Sequence, residues 1–275
     1  MSHIIPNYTG DDFINQMKTI ILQSGNIVMK EYDSPAPGSV VKKEDQSPLT
    51  KADLAVHQYL CDTLKESFGI PVISEESRHP SNLLNTFKTF FIIDPIDGTK
   101  EFIKKSGEFT VNIGLVVNGK IVAGYIFAPQ EGTLWYSTDG MSAVKMTVHD
   151  DRRVISVSDR SVGRIGLTSR DHVLKKDLGI LYELGCSKIL QRGSSLKFCM
   201  VAEGVADLYV RIGRTMAWDT TAADIIVRGA GGYMYYLHEN GTIDTTPDKV
   251  SNFGFVCSNN AIDDASITTI KNLIF

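Results

Sequence analysis

Nowhere does this chain run apolar for the roughly 18 residues that a membrane-spanning helix needs. Its first residues, Met1-Ser2-His3-Ile4-Ile5-Pro6, lack the basic head and long apolar core of a secretory signal. Cysteine is scarce. Cys61, Cys186, Cys199 and Cys257 show no Cys-x-x-Cys spacing. Phe198-Cys199-Met200 and Phe255-Val256-Cys257 are apolar contexts that suit buried, reduced thiols. An excess of basic charge is also missing: the formal net charge is −4, which argues against a nucleic acid polymer as partner. A small phosphorylated substrate stays compatible, because a few local cations can dominate a cleft. The expectation is a cytoplasmic protein with no integral membrane segment, and sequence leaves open a peripheral position at the inner face of the membrane. No internal repeat or low-complexity segment stands out. What is present is globular: 275 residues, 43% hydrophobic and 22% charged, enough for a substantial core in two lobes.

Phe13, Met17, Ile20, Ile21, Ile27 and Val28 fall mainly on one helical face and predict a helix capped by Thr9 and running to about Tyr32. Asp33-Ser34-Pro35-Ala36-Pro37-Gly38 ends it. Residues 39–48 read as an exposed hairpin or loop, in which Lys42 and Lys43 suit a solvated run or, more sharply, a lid over a phosphate site. From Thr110 to Val117 apolar and polar residues alternate, Asn118-Gly119 makes a hairpin turn, and Ile121 to Phe127 returns. Thr133–Ser137 and Ala143-Val144 continue this antiparallel meander. Beyond Asp150 short apolar strands, starting with Val154-Ile155-Ser156-Val157, alternate with helices. This divides the chain into 1–147, an N-terminal α+β lobe, and 148–275, a C-terminal α/β lobe that completes the site. Periodicity alone supports mixed α and β in two lobes.

The chemistry is expected at Asp94-Pro95-Ile96-Asp97-Gly98-Thr99-Lys100-Glu101-Phe102, directly after the apolar run Phe90–Ile93. That run reads as a buried strand, and the two aspartates straddle a turn that proline begins and glycine permits. Like charges held so close call for a cation between them, and oxygen-only ligands suit magnesium better than zinc. By itself the segment fits an ordinary polar turn equally well. Three further segments supply acids at element ends. Ile70–Ile73, a short strand, ends in Ser74-Glu75-Glu76-Ser77. Ser47-Pro48-Leu49-Thr50-Lys51-Ala52-Asp53 leads into a helix whose apolar residues are Leu54, Leu60, Leu64 and Phe68. Trp218-Asp219-Thr220-Thr221-Ala222-Ala223-Asp224 opens an apolar helical run.

Together these segments resemble the inositol monophosphatase superfamily of metal-dependent phosphatases. Its pattern is an aspartate before a helix, a Glu-Glu pair, Asp-Pro-x-Asp-Gly-Thr and Trp-Asp. Lys100-Glu101-Phe102, Gly107-Glu108-Phe109-Thr110-Val111-Asn112-Ile113 and Gly193-Ser194-Ser195-Leu196-Lys197-Phe198-Cys199, continuing through Ala206-Asp207-Leu208-Tyr209-Val210-Arg211, look like the 3'(2'),5'-bisphosphate nucleotidases of the CysQ type. The resemblance implies a layered α/β/α/β/α sandwich with its site between the lobes, and two or three Mg2+ ions. By that resemblance Glu75, Asp94 and the Ile96 carbonyl hold one ion, and Asp94, Asp97 and Asp219 another, with Asp94 bridging. It also implies that Asp53 and the Thr99 hydroxyl orient and deprotonate the attacking water, while Gly98 and Thr99 offer backbone N–H groups to the phosphate. His172 (in Ser169-Arg170-Asp171-His172), Ser194, Lys197 and Arg211 would approach the nucleotide and its second phosphate, with Asp219 also near the substrate.

Each role has a plainer counterpart. Asp53 could cap a helix, Thr99 likewise, His172 could be an exposed helix-start residue, Lys197 and Arg211 surface cations, and Asp224 structural or exposed. The family usually shows Trp-Asp-x-Ala-Ala-Gly, where this chain has Thr221 and Ala223, and Gly213-Arg214-Thr215 replaces Gly-Pro-Thr. The implied activity is magnesium-dependent, lithium-sensitive removal of the 3'-phosphate of adenosine 3',5'-bisphosphate, which yields AMP and clears a by-product of sulfate assimilation. The alternatives are an inositol monophosphate phosphatase and, in another class, a non-catalytic metal-dependent nucleotide sensor.

Overall fold

The computed structural model describes residues 7–34, 41–42, 48–170, 174–248 and 250–274. In chain order the elements are α1 (Asp11–Tyr32), β1 (Val41–Lys42), β2 (Pro48–Leu49), α2 (Lys51–Phe68), β3 (Val72–Ser74), α3 (Pro80–Leu84), β4 (Thr89–Asp97), α4 (Thr99–Ile103), β5 (Thr110–Val117), β6 (Lys120–Ala128), β7 (Thr133–Thr138), β8 (Val144–Thr147) and β9 (Arg152–Val154). They continue with β10 (Arg164–Ser169), α5 (Lys175–Glu183), β11 (Cys186–Arg192), α6 (Leu196–Ala202), β12 (Leu208–Met216), α7 (Ala217–Gly229), β13 (Tyr233–Leu237), β14 (Ile243–Asp244), β15 (Ser251–Ser258) and α8 (Asp264–Ile274).

Two sheets carry the architecture. One has the order β3-β4-β5-β6-β7-β8-β9, antiparallel except for the parallel β3/β4 pair, and the other runs β11-β10-β12-β15-β13-β14. The apolar stripe of α1 (Phe13, Met17, Ile20, Ile21, Val28) and that of α2 (Ala52, Val56, Leu60, Leu64) bury against Phe91, Ile93, Ile113 and Tyr125 on one face of the first sheet. On the opposite face, Ile126, Ala128 and Trp135 meet Ala222, Ile226 and Val227 of α7 and Phe198 and Val201 of α6. Those helices in turn pack on Tyr209, Met234, Tyr236 and Phe255 of the second sheet. Ile180 and Leu181 of α5 and Ile270 and Ile274 of α8 cover that sheet's outer face. The layers are therefore α/β/α/β/α, as the resemblance implied.

The departure at Thr221 has a steric partner. A Cβ at Gly114 would lie 2.5 Å from the Thr221 side chain, so the missing side chain on β5 makes the space that the larger residue on α7 fills. Thr221 Oγ1 donates to the Ala217 carbonyl at 2.7 Å, which satisfies its hydroxyl inside the layer.

Several sequence expectations change. Gly10, not Thr9, occupies the cap position of α1, because the Thr9 hydroxyl bonds the nearer Asn7 side chain at 2.9 Å. Leu54 is half exposed, since the buried face of α2 follows Ala52, Val56 and Leu60 instead. The Asp94–Asp97 segment is not a turn that proline begins: β4 continues to Asp97, with a register shift against β5 between Asp94 and Asp97, and the chain turns only at Gly98. Val154–Val157 does not open the second sheet. Arg152–Val154 pairs with β8 at the edge of the first, and Ile155 and Val157 donate to the carbonyls of Ala143 and Ala230. The expected hairpin around residues 39–48 is seen as antiparallel pairing of β1 with β2, and residues 43–47 lie outside the described residues. Cys186, Cys199 and Cys257 are buried and all four cysteines are free thiols. Among the described residues no helix is long and apolar enough to cross a membrane.

Candidate active site

Strand ends bring the acids together. Glu75 follows β3, Asp94 to Asp97 finish β4, Gly193 to Ser195 follow β11, and β12 leads into α7 with Asp219 in its first turn. β3 and β4 run parallel, as do β10, β11 and β12, and crevices beyond the carboxyl ends of parallel strands are where α/β folds collect ligands. A cavity of about 260 Å³ opens here, with Glu75, Asp97, Thr99, Lys197, Arg211 and Asp219 in its walls.

Asp94 is only 2% exposed. Burial pushes its carboxyl well above the usual range, and Glu75, Asp97, Asp219 and Asp53 push it further. Asp219 is pushed up to about 8, first by burial and then by Asp97 and Glu75, against the lowering pull of the Met216 N–H and Arg211. Five carboxylates thus face a common region. Hard oxygen donors of this kind fit magnesium chemically. Among the described residues no three acidic, histidine or cysteine side chains already close on one point as ligands. Several carboxylate oxygens are drawn to protein donors: Ile96 N–H donates to Asp94 Oδ1 at 3.1 Å and Met216 N–H to Asp219 Oδ2 at 2.9 Å. Holding an ion would need these side chains to converge.

Asp53 does cap its helix, and it also meets Thr99. It is the third residue of α2 and completes a capping box with Thr50, accepting from the Thr50 N–H at 2.8 Å and its hydroxyl at 2.5 Å, both through Oδ2. The other oxygen, Oδ1, accepts from Thr99 Oγ1 at 3.4 Å, and Thr99 Oγ1 also reaches the Ile96 carbonyl at 3.1 Å. Capping therefore aims this carboxylate at the threonine. Gly98 stands before Thr99 at φ +93°, where an added Cβ would lie 3.0 Å from the Glu108 carbonyl oxygen and 3.2 Å from Ser194 Cβ. Only glycine fits that turn without strain.

Lys197 is buried, not a surface cation. Its Nζ donates to the carbonyls of Arg192 at 3.1 Å and Ser194 at 2.7 Å and sits 5.0 Å from the centre of the Tyr209 ring. Burial brings its pKa down to about 8, with Asp97 opposing and Arg211 adding to the fall. Arg211 lines the same cavity with Phe198, Tyr209 and Phe255. Ser194 Oγ donates to Asp97 Oδ2 at 3.1 Å. Arg214 is exposed, at the register shift of β12 between Ile212 and Thr215. Asp224 is buried, bound by Arg228 and by the Tyr236 hydroxyl at 2.6 Å, so it is structural and not exposed. His172 lies outside the described residues.

Sequence reasoning assigned no role to Ser195 or Asn112. Ser195 Oγ donates to Asp97 Oδ2 at 2.6 Å, and Asn112 Nδ2 donates to Ser195 Oγ at 2.9 Å. The signal was an asparagine inside the apolar run of β5, every residue of which is buried.

The chain matches the inositol monophosphatase family over residues 11–274. It belongs to that family. Among its relatives, the 3'(2'),5'-bisphosphate nucleotidase CysQ of Salmonella typhimurium is 36% identical over 244 residues, covering 88% of this chain and 98% of that protein, and its counterpart in Escherichia coli K12 matches equally. Among solved structures, CysQ of Bacteroides thetaiotaomicron, described as a bacterial member of the inositol monophosphatase family, superposes with a TM-score of 0.74 at 31% identity, covering 90% of this chain and 98% of that one. A Thermotoga maritima IMPase gives 0.77 at 23% identity over 96% of this chain and 98% of that one, a likeness of fold alone.

Proposed function

We propose that this protein is a magnesium-dependent phosphatase that removes the 3'-phosphate of adenosine 3',5'-bisphosphate, leaving AMP and inorganic phosphate. The observation that carries the reading is the near-complete burial of Asp94 among Glu75, Asp97, Asp219 and Asp53, beside the Asp53–Thr99 hydrogen bond, at the edge of a cavity whose wall also bears Lys197 and Arg211. The CysQ relatives, alike over nearly their whole length, favour the nucleotide over an inositol phosphate.

Glu75, Asp94, Asp97, Asp219 and the Ile96 carbonyl would hold two or three magnesium ions, which when bound acidify water and neutralise phosphate charge. Thr99 Oγ1 accepts a proton from the attacking water as its own proton passes to Asp53 Oδ1. The second Asp53 oxygen stays on the Thr50 N–H and hydroxyl, so the carboxylate keeps its aim through the transfer. Gly98 and Thr99, at the turn into α4, present backbone N–H groups to the phosphate. Water attacks phosphorus in line, the bond to the 3'-oxygen breaks, and that oxygen leaves as the ribose hydroxyl after protonation from solvent. Arg211, Lys197 and Ser194 line the cavity and would receive the 5'-phosphate, which a guanidinium can grip through two N–H groups.

The test is product regiochemistry. Incubation of adenosine 3',5'-bisphosphate with the protein and magnesium, followed by chromatography, is expected to give 5'-AMP and one phosphate. Release of 3'-AMP, or equal release with and without chelator, would reject the reading.

A further inference from the structure

Outside the acids and the cavity wall, the most heavily bonded carboxylate near the site is Glu108, between β4 and β5. Its side chain is 8% exposed. Glu108 Oε2 accepts from Arg170 Nε at 3.1 Å and from the Gly193 N–H at 2.8 Å, and Oε1 accepts from Arg170 at 2.7 Å and Arg192 at 3.3 Å. Arg192 ends β11 of the second sheet, and Arg170 and Gly193 directly follow β10 and β11, whereas Glu108 lies in the segment that leads into β5 of the first. Burial raises its pKa, but Arg170, the Gly193 N–H and Arg192 outweigh burial and hold it below its usual range, so the group is a carboxylate at neutral pH.

The Gly193 N–H held by Glu108 starts the loop whose next two residues grip Asp97. Ser194 is in the left-handed region at φ +54°, a conformation that a non-glycine residue keeps only where its surroundings enforce it. It donates to Asp97 Oδ2 at 3.1 Å and pairs with the Thr110 hydroxyl at 2.7 Å, while Ser195 donates to the same Asp97 oxygen at 2.6 Å. The backbone of Glu108 also bounds the turn at Gly98. One residue therefore sets both the loop that orients Asp97 and the wall beside the turn that follows it.

We propose that Glu108 is a positioning residue that joins the two sheets and fixes the 193–195 loop so that Asp97 is presented in the geometry a divalent cation needs. The proposal rests on the metal-site reading above. Groups that orient a metal ligand through hydrogen bonds typically change metal affinity by roughly 10- to 100-fold when lost.

The experiment is Mn2+ binding without substrate, followed by the electron paramagnetic resonance signal of free Mn2+. Glu108→Gln keeps the size of the side chain and removes its charge; its Kd for Mn2+ is expected to rise roughly 10-fold or more. Ser195→Ala, which removes the shorter of the loop's two bonds to Asp97, is expected to do the same. Glu203→Gln is the control for structural loss. That carboxylate is also nearly buried and held by Trp135, Lys145 and Arg153, at the opposite end of α6 from Ser195. It is expected to lower the melting temperature without changing the Kd. Should Glu108→Gln not fold, Arg170→Gln removes two of its donors from a half-exposed position and is expected to weaken Mn2+ binding several-fold. Wild-type affinity in the folded Glu108 or Arg170 variant, or equal weakening in Glu203→Gln, would overturn the proposal. Absence of Mn2+ binding in the unchanged protein would instead overturn the metal reading beneath it.

Discussion

With chelator present, Asp219→Asn is expected to melt at a higher temperature than the unchanged protein, by a margin that grows with pH. Burial, then Asp97 and Glu75, raise the folded-state pKa of Asp219 from 3.8 to about 8. A carboxyl raised on folding keeps a proton in the folded state that the unfolded chain releases. Stability from this group is therefore lost as pH climbs from about 4 to about 8, at up to roughly 1.4 kcal/mol per unit. At pH 7, about three units above the unfolded value, the full sum is about 4 kcal/mol. Asp94, whose carboxyl Asp219 helps to raise, shares the titration, so about 2 to 4 kcal/mol is the working range. Asparagine removes that penalty and can still accept the Met216 N–H. For a chain of this size the gain corresponds to very roughly 4 to 12 °C. The assay is thermal unfolding of both proteins in chelator at pH 5, 6, 7 and 8. Equal melting temperatures at pH 8, or a margin that does not change between pH 5 and 8, would refute the reasoning. Added magnesium is expected to reverse the order, because only the unchanged protein keeps the full set of carboxylates and gains binding free energy.

Asp94→Asn is expected to lower kcat at least about 10³-fold at saturating magnesium, since it removes the proposed bridging ligand; near-normal turnover would reject the metal assignment. Thr99→Ala is expected to lower kcat by roughly 10²- to 10⁴-fold with little change in KM, as loss of a proton-transfer group does, and steady-state kinetics would show a KM effect alone if the hydroxyl only binds substrate. Gly98→Ala is expected to destabilise the protein by about 1 to 3 kcal/mol in urea unfolding, because alanine must adopt φ +93° with its Cβ 3.0 Å from the Glu108 carbonyl.

The acids and the strands before them were legible because each lies next to an unambiguous local signal: an apolar run before Asp94, a short strand before Glu75, a helix start at Asp53 and another at Asp219. The layered order of the fold came from the family resemblance, since periodicity cannot say which sheet a strand joins. Arg152–Val154 shows why. Its partner is β8, and nothing in three exposed residues announces that pairing. Boundaries failed where a local side-chain bond won, as at Thr9, or where a strand absorbed proline through a register shift, as at Pro95. The groups that orient Asp97 were hidden for another reason. Ser195, Asn112 and Glu108 act across 98, 15 and 85 residues of chain respectively, and no short motif reports contacts over such separations.

The most direct test of the central claim is the rate of phosphate release from adenosine 3',5'-bisphosphate and from inositol 1-phosphate, each with magnesium and with chelator. A kcat/KM far higher for the nucleotide, abolished by chelator, is the expected result. Preference for inositol phosphate would keep the metal site and contradict the pocket assignment, and no phosphate from either substrate would contradict the claim that this site is catalytic.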